Sequence, residues 1–205
     1  MDSRSWFSAA SAGLQALLPG LDGCLDSPGL GEWSVRDLLG HTCRACLTLE
    51  SYLAAGSELD DRTPVDIASA VEYYRAAVGT LAEPSAVTHR GREAGAALGD
   101  DPIGAALDIV DRVGSVLDRA ADDALVATPL GTMRVSAYLP TRSFELSVHS
   151  VDLARASGQE PPGVLLSTLS DCLSLVAALA DDRQRLELLL AATGREGLPG
   201  AFSVV

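Results

Sequence analysis

Apolar positions recur at steps of three and four along most of the chain, the period of helices that bury one face. Trp6, Ala9, Ala10, Leu14, Leu17 and Leu18 form the first stripe, over about residues 5–18, and Pro19-Gly20 stops it. A loop rich in Gly and Pro, from Ser27 to Trp33, leads to Ser34-Val35-Arg36-Asp37, which reads as a capping box. It opens a second helix to about residue 55, with Val35, Leu38, Leu39, Cys46, Leu49 and Leu53 on its buried side. A third helix is expected after Thr63, with Pro64 near its first turn, and Pro84 or the glycines of residues 91–99 interrupt the chain beyond it. Pro102 opens the next, over about residues 103–121. Residues 127–135, with Gly131 between β-branched flanks, fit a short hairpin or an extended connection better than a helix. Pro140 suits the first turn of a helix that carries Phe144, Val148 and Val151 inward and stops near Gly158 and Pro161-Pro162. One last long helix spans about residues 164–192. The sum is a mainly α chain: an antiparallel four-helix bundle with an additional C-terminal helix and a short hairpin or extended connection.

Composition narrows this reading. With 205 residues, 47% of them hydrophobic and 21% charged, the chain can bury a core, and one domain over residues 1–205 is expected. A formal charge of −13, with the arginines scattered, argues against nucleic acid and against anionic membrane surfaces as partners. No uncharged apolar stretch is long enough to span a bilayer, and the acidic, interrupted N-terminus is unlike a signal peptide. A cytoplasmic protein is the expectation, in which the four cysteines pack as thiols.

The chain has only three histidines. Glu145 and His149 are four residues apart, so they share one helix face and are near enough to hold one metal ion. A further ligand must come from another helix, and His41 lies at the edge of the second helix's apolar stripe, beside Leu38, Ala45 and Tyr52. Two imidazoles and one carboxylate are the ligand set of metal sites that keep an open position for water or substrate. Asp152, three residues past His149, falls on the same face and can orient an imidazole. Tyr138 and Arg142 precede Glu145 and can approach the same cleft. By spacing alone, a Glu/His pair is commonly a solvated helix face, and a single histidine a hydrogen-bonded, half-buried residue. His89 reads as a polar surface residue. Cys43 and Cys46 have the spacing of a redox motif but lie inside a helix rather than at its start, so packing is their expected role.

The stretch from Glu32-Trp33-Ser34-Val35-Arg36-Asp37 to His41, and then Arg142-Ser143-Phe144-Glu145 through His149 to Asp152-Leu153-Ala154, resembles the mycothiol-dependent maleylpyruvate isomerase family, among the DinB-like helical bundles. The tail from Ala192 to Val205 also looks like endings in this group. The resemblance implies a four-helix bundle whose residues matching His41, Glu145 and His149 hold a divalent metal, usually zinc. It implies mycothiol, a thiol of actinobacteria, as cosubstrate. The isomerases carry a further C-terminal α/β lobe that helps bind substrate. Here one long helix and a short tail come after Gly158, so no substrate residue of that lobe is carried over. The expected function is a metal-dependent enzyme that directs the thiol at a small electrophile, giving an isomer or an S-conjugate. Asp152 would orient a ligand, and Arg142 would meet an anionic substrate or brace Glu145. Metal-assisted hydrolysis and a non-catalytic metal-binding bundle with a ligand or protein partner are the alternatives, and an apolar bundle face leaves room for a homodimer.

Overall fold

The computed structural model describes residues 1–60, 62–78 and 84–204. Side chains that satisfy the first free N–H groups start most of the longer helices. Asp2 accepts from Ser5 N (2.9 Å) and opens α1 (Ser3–Leu17). Ser34 and Asp37 exchange bonds of 3.2 and 3.0 Å in the expected capping box, which opens α2 (Val35–Gly56). Ser69 caps α3 (Ala70–Ala77), and α4 (Pro84–Ala97) comes next. Asp101, with Pro102 in the first turn, opens α5 (Pro102–Arg119). The hairpin β1 (Leu125–Thr128) and β2 (Gly131–Arg134) is antiparallel, with Val126 opposite Met133. Then come α6 (Val135–Ser157), closed by left-handed Gly158, and α7 (Gly163–Leu166), α8 (Leu169–Leu179) and α9 (Asp182–Ala192). Among the described residues no helix is long and apolar enough to cross a membrane.

Side-chain bonds give the directions of the four long helices. Trp6 Nε1 donates to Ser147 Oγ (3.3 Å) and Gln159 Nε2 to the Leu17 carbonyl (3.2 Å), so α1 runs parallel to α6. Arg36 reaches the Gly99 carbonyl (2.9 Å) and Arg112 pairs with Glu50 (2.8 Å), so α2 runs parallel to α5. Thr48 meets Arg142 (3.4 Å) while His41 meets His149, which makes α2 antiparallel to α6. A four-helix bundle with this order needs a long crossover, and residues 57–101, carrying α3 and α4, provide it. Leu14, Leu38, Leu39, Leu49, Val113 and Leu146 are among the buried side chains of the central core.

Five details depart from the sequence-based expectations. The third helix starts at Ala70 rather than near Pro64, because Asp66 and Ile67 donate to the Thr132 carbonyl (3.0 and 3.1 Å) and tie the segment to β2. The rest of the interval before Pro84 includes residues 79–83, which lie outside the described residues. Pro84 opens α4 and left-handed Gly99 follows its end, as expected, but Gly91 and Gly95 do not break it. They let it lie on α2: a Cβ on Gly40 would strike the Gly95 and Ala94 backbone, and one on Gly91 would enter the Trp33 ring. Pro140 sits inside α6, whose start is fixed earlier by Val135 N and Ser136 N donating to Ala124 O (2.9 Å) and Asp122 O (3.0 Å). The buried face of α6 includes Phe144, as expected, but Val148 is exposed and Val151 only half-buried. Ser143, Leu146, Ser147, Ser150 and Leu153 face inward instead, because α1 packs on a face of small residues. The Ser143 and Ser147 hydroxyls there donate to carbonyls one turn back. The last long helix is three helices. Asp181 and Gln184 form a capping box that starts α9 afresh, and Thr168 turns its hydroxyl to Leu165 O between α7 and α8.

Candidate functional site

Antiparallel packing brings the first half of α2 against the second half of α6. The capping box sets the start of α2, so His41 emerges on the face toward α6. Trp33, just before the cap, covers it: the two rings lie 4.5 Å apart at 35°. The indole is fixed by Nε1 donating to Thr88 O (3.0 Å) and by Gly91 beneath it. Across the interface the His149 ring meets His41 nearly edge-on, with centroids 4.8 Å apart. Glu145, one turn earlier on α6, places Oε2 at 3.3 Å from His149 Nε2, and Asp152 places Oδ2 at 3.2 Å from His149 Nδ1. The Tyr74 hydroxyl, from α3, donates to Glu145 Oε1 (2.7 Å). Tyr74, Glu145, His149 and Asp152 thus form one hydrogen-bonded row, with His41 against its middle.

Burial and charge divide the two imidazoles. Burial pulls His41 down to about 4, helped by His149 and Arg44 and opposed by Glu145, so His41 is neutral at pH 7. Its Nδ1 is buried with no hydrogen-bond partner. Burial also works against a charge on His149, but the bonds to Asp152 and Glu145 outweigh it and lift the group to about 9. Glu145 behaves conversely. Burial pushes it up, while His149, the nearby Arg142 charge and Tyr74 hold it down at about 2. The row is an ion pair closed by hydrogen bonds, with side chains only 15% exposed at His149 and 30% at Glu145.

Arg142 stands behind Glu145. Its guanidinium lies 5.1 Å from the Tyr138 ring centre and 5.8 Å from that of Tyr73, and it donates to Thr141 Oγ1 (3.0 Å) and Thr48 Oγ1 (3.4 Å). All four tyrosines of the chain gather here, linked ring to ring from Tyr52 through Tyr138 and Tyr73 to Tyr74. Burial opposes the Arg142 charge, yet Tyr138 and Glu145 raise its pKa, and it remains a cation. Cys43 and Cys46 are fully buried free thiols. Burial pushes Cys43 up to about 12 and Cys46 up as well, so neither is a thiolate near neutral pH. His89 is exposed and pairs with Glu93 (3.2 Å) on α4.

The site therefore joins His41, Glu145, His149 and Asp152 and keeps Arg142 one layer back. Among the described residues no three His, Cys, Asp or Glu side chains stand ready to hold a metal ion as placed. Glu145 Oε2 and His149 Nε2 are turned to each other instead. Two members of the site were missed by the sequence reading as functional residues. Trp33 carried a signal, since it directly precedes the capping box. Tyr74 carried none, because it reaches Glu145 from 71 residues away. A separate open cavity of about 860 Å³, between the C-terminal ends of α2 and α5, contains none of these residues.

Comparison with known proteins adds one match. The family described as the mycothiol maleylpyruvate isomerase N-terminal domain matches residues 7–154, a span from α1 through most of α6 that contains every residue of the site. No curated protein and no solved structure matches.

Proposed function

The chain belongs to the mycothiol maleylpyruvate isomerase N-terminal domain family, and from that premise we propose that it is a divalent-metal-dependent enzyme using a low-molecular-weight thiol, mycothiol, to isomerise or S-conjugate a small electrophile. The observation that carries the reading is the meeting of His41 with Glu145 and His149 across the α2–α6 interface, with one buried His41 nitrogen left unpartnered. Two imidazoles and a carboxylate suit a zinc-like ion that keeps one position open. The residues fit the ion by their chemistry and not by their present arrangement, since Glu145 and His149 must first release each other.

A bound divalent ion supplies a Lewis acid that favours the thiolate form of a thiol. The chain's own residues prepare for it. His41 is already neutral and offers a lone pair without losing a proton. Glu145 is already ionised, and Arg142 helps keep it so. Asp152 accepts from His149 Nδ1–H, which leaves Nε2 as the donor atom once its proton departs. Trp33, for which Gly91 leaves room, covers the His41 ring. The buried thiols of Cys43 and Cys46 are not competitors for the role of nucleophile.

The test is elemental analysis after zinc reconstitution, for wild type, His41→Ala and His149→Ala, followed by consumption of mycothiol with model electrophiles. Wild type is expected to retain about one ion per chain and both variants to lose it. A wild type that stays metal-free overturns the reading. Turnover of a substrate at equal rates with and without thiol would move the assignment to hydrolysis.

A further inference from the structure

The two carboxylate oxygens of Glu145 have unequal partners. Oε1 accepts from the Tyr74 hydroxyl at 2.7 Å, while Oε2 faces His149. We propose that Tyr74 is a positioning residue of the metal centre: its hydroxyl commits Oε1, so that Glu145 meets a divalent ion through Oε2 alone. The inference rests on the proposed metal site and deepens it.

Tyr74 has one hydroxyl proton and two acceptors within reach, Glu145 Oε1 at 2.7 Å and the Thr141 carbonyl at 3.3 Å. The shorter bond to the charged acceptor takes the proton. The aim of the hydroxyl is set from several sides. Ser69 and Glu72 cap the start of α3, through bonds of 3.2 Å to Glu72 N and 2.8 Å from Ala68 N. Upstream, Asp66 and Ile67 anchor the segment to β2. The Tyr74 ring stands edge-on to Phe144 at 5.8 Å, and neighbouring Tyr73 is buried against Tyr138 at 5.5 Å. A tyrosine held at the start of its helix and along its ring cannot follow the carboxylate if it turns.

The consequence is a count of donor atoms. A free carboxylate can bind a cation through one oxygen or two, and the two-oxygen mode suits larger cations that take six or more oxygen ligands. With Oε1 engaged, the chain presents two nitrogens and one oxygen, which leaves the open position that a thiol or water requires. Without the Tyr74 hydroxyl, Oε1 is free to rotate into that position.

The experiment titrates metal-free wild type and Tyr74→Phe with Co²⁺ and with Zn²⁺. It reads the visible ligand-field bands of the cobalt protein and the zinc affinity from chelator competition. Wild type is expected to show the intense bands of low-coordinate cobalt. Tyr74→Phe, which keeps the ring packing, is expected to show weaker bands and roughly a 10- to 100-fold loss of zinc affinity. Wild type that takes up metal while Tyr74→Phe matches it in both readouts overturns this proposal and leaves the metal reading standing. Wild type that takes up none overturns both. Should Tyr74→Phe fail to fold, difference infrared spectra of zinc-loaded minus metal-free wild type decide, with Glu145→Gln assigning the bands. A carboxylate splitting of two-oxygen binding there overturns the proposal, and a one-oxygen splitting supports it.

Discussion

If the proposed metal centre forms, loading it at neutral pH should expel a proton, and His149 is the group that would give it up. His149 titrates at about 9, between the Asp152 and Glu145 carboxylates, and must surrender the Nε2 proton to become a ligand. At pH 7 a group of that pKa is roughly 99% protonated. His41, at about 4, and Glu145, at about 2, have no proton left to give. Uptake should therefore release about one proton per chain, where two ordinary imidazoles would together release roughly half a proton. The same proton weakens the metal. Two pH units below the pKa, its removal costs about 2.7 kcal/mol, so affinity should rise roughly tenfold per pH unit from 6 to 9 and then level off. Calorimetric zinc titration at pH 7, in two buffers of different ionisation enthalpy, measures the release, and chelator competition across pH measures the slope. In Asp152→Asn the release should fall, because one of the two carboxylates that hold the proton is gone. Zinc binding with no proton release, or with an affinity flat between pH 7 and 8.5, would refute the reasoning while leaving metal binding itself intact.

Three other outcomes are expected. In metal-free protein the raised His149 contributes stability that is complete below its unfolded value near 6.5 and lost as pH rises through about 9. The amount is on the order of 3 kcal/mol, counted once for the pair with Glu145. Urea midpoints at pH 6 and 9.5 in chelator should show that fall in wild type and less of it in Asp152→Asn. Gly40→Ala forces α4 off α2 and should destabilise by about 1–3 kcal/mol in urea unfolding. An unchanged midpoint would mean that the two backbones are not in contact. Iodoacetamide at pH 8, read by peptide mass spectrometry, should modify half-buried Cys24 in the native protein. Cys43 and Cys46 should be spared until denaturant is added, and early labelling of either would contradict their burial.

The features legible in the sequence are those that depend on near neighbours along it. The Ser34–Asp37 capping box and the Glu145–His149 pairing each span one helical turn, and helical geometry alone brings those side chains together. The family resemblance supplied His41, whose partner lies on another helix. Pro140 and Gly91 misled for a shared reason: rules for proline and glycine weigh the local backbone cost and cannot see what packing returns. For Gly91 the return is the Trp33 ring, and for Pro140 it is a helix start already pinned to the Asp122 and Ala124 carbonyls. Val148 points outward because α1 selected the serine face of α6. Tyr74 and the gathering of tyrosines round Arg142 depend on where the crossover lands, which no local pattern records.

That crossover also decides when a site can exist. His41 and His149 stand on helices joined only through roughly a hundred intervening residues, so closing that loop carries a large entropic cost that only the assembled bundle repays. The hairpin and α6 without α2 would hold only a Glu/His pair, and α2 without α6 only one imidazole. Any opening of the native state that parts α2 from α6 takes His41 away from the Glu145–His149–Asp152 row. The rate at which His41 and His149 separate is thus a rate of bundle opening. Amide exchange along the α2–α6 seam should slow in step with whatever holds those two rings together.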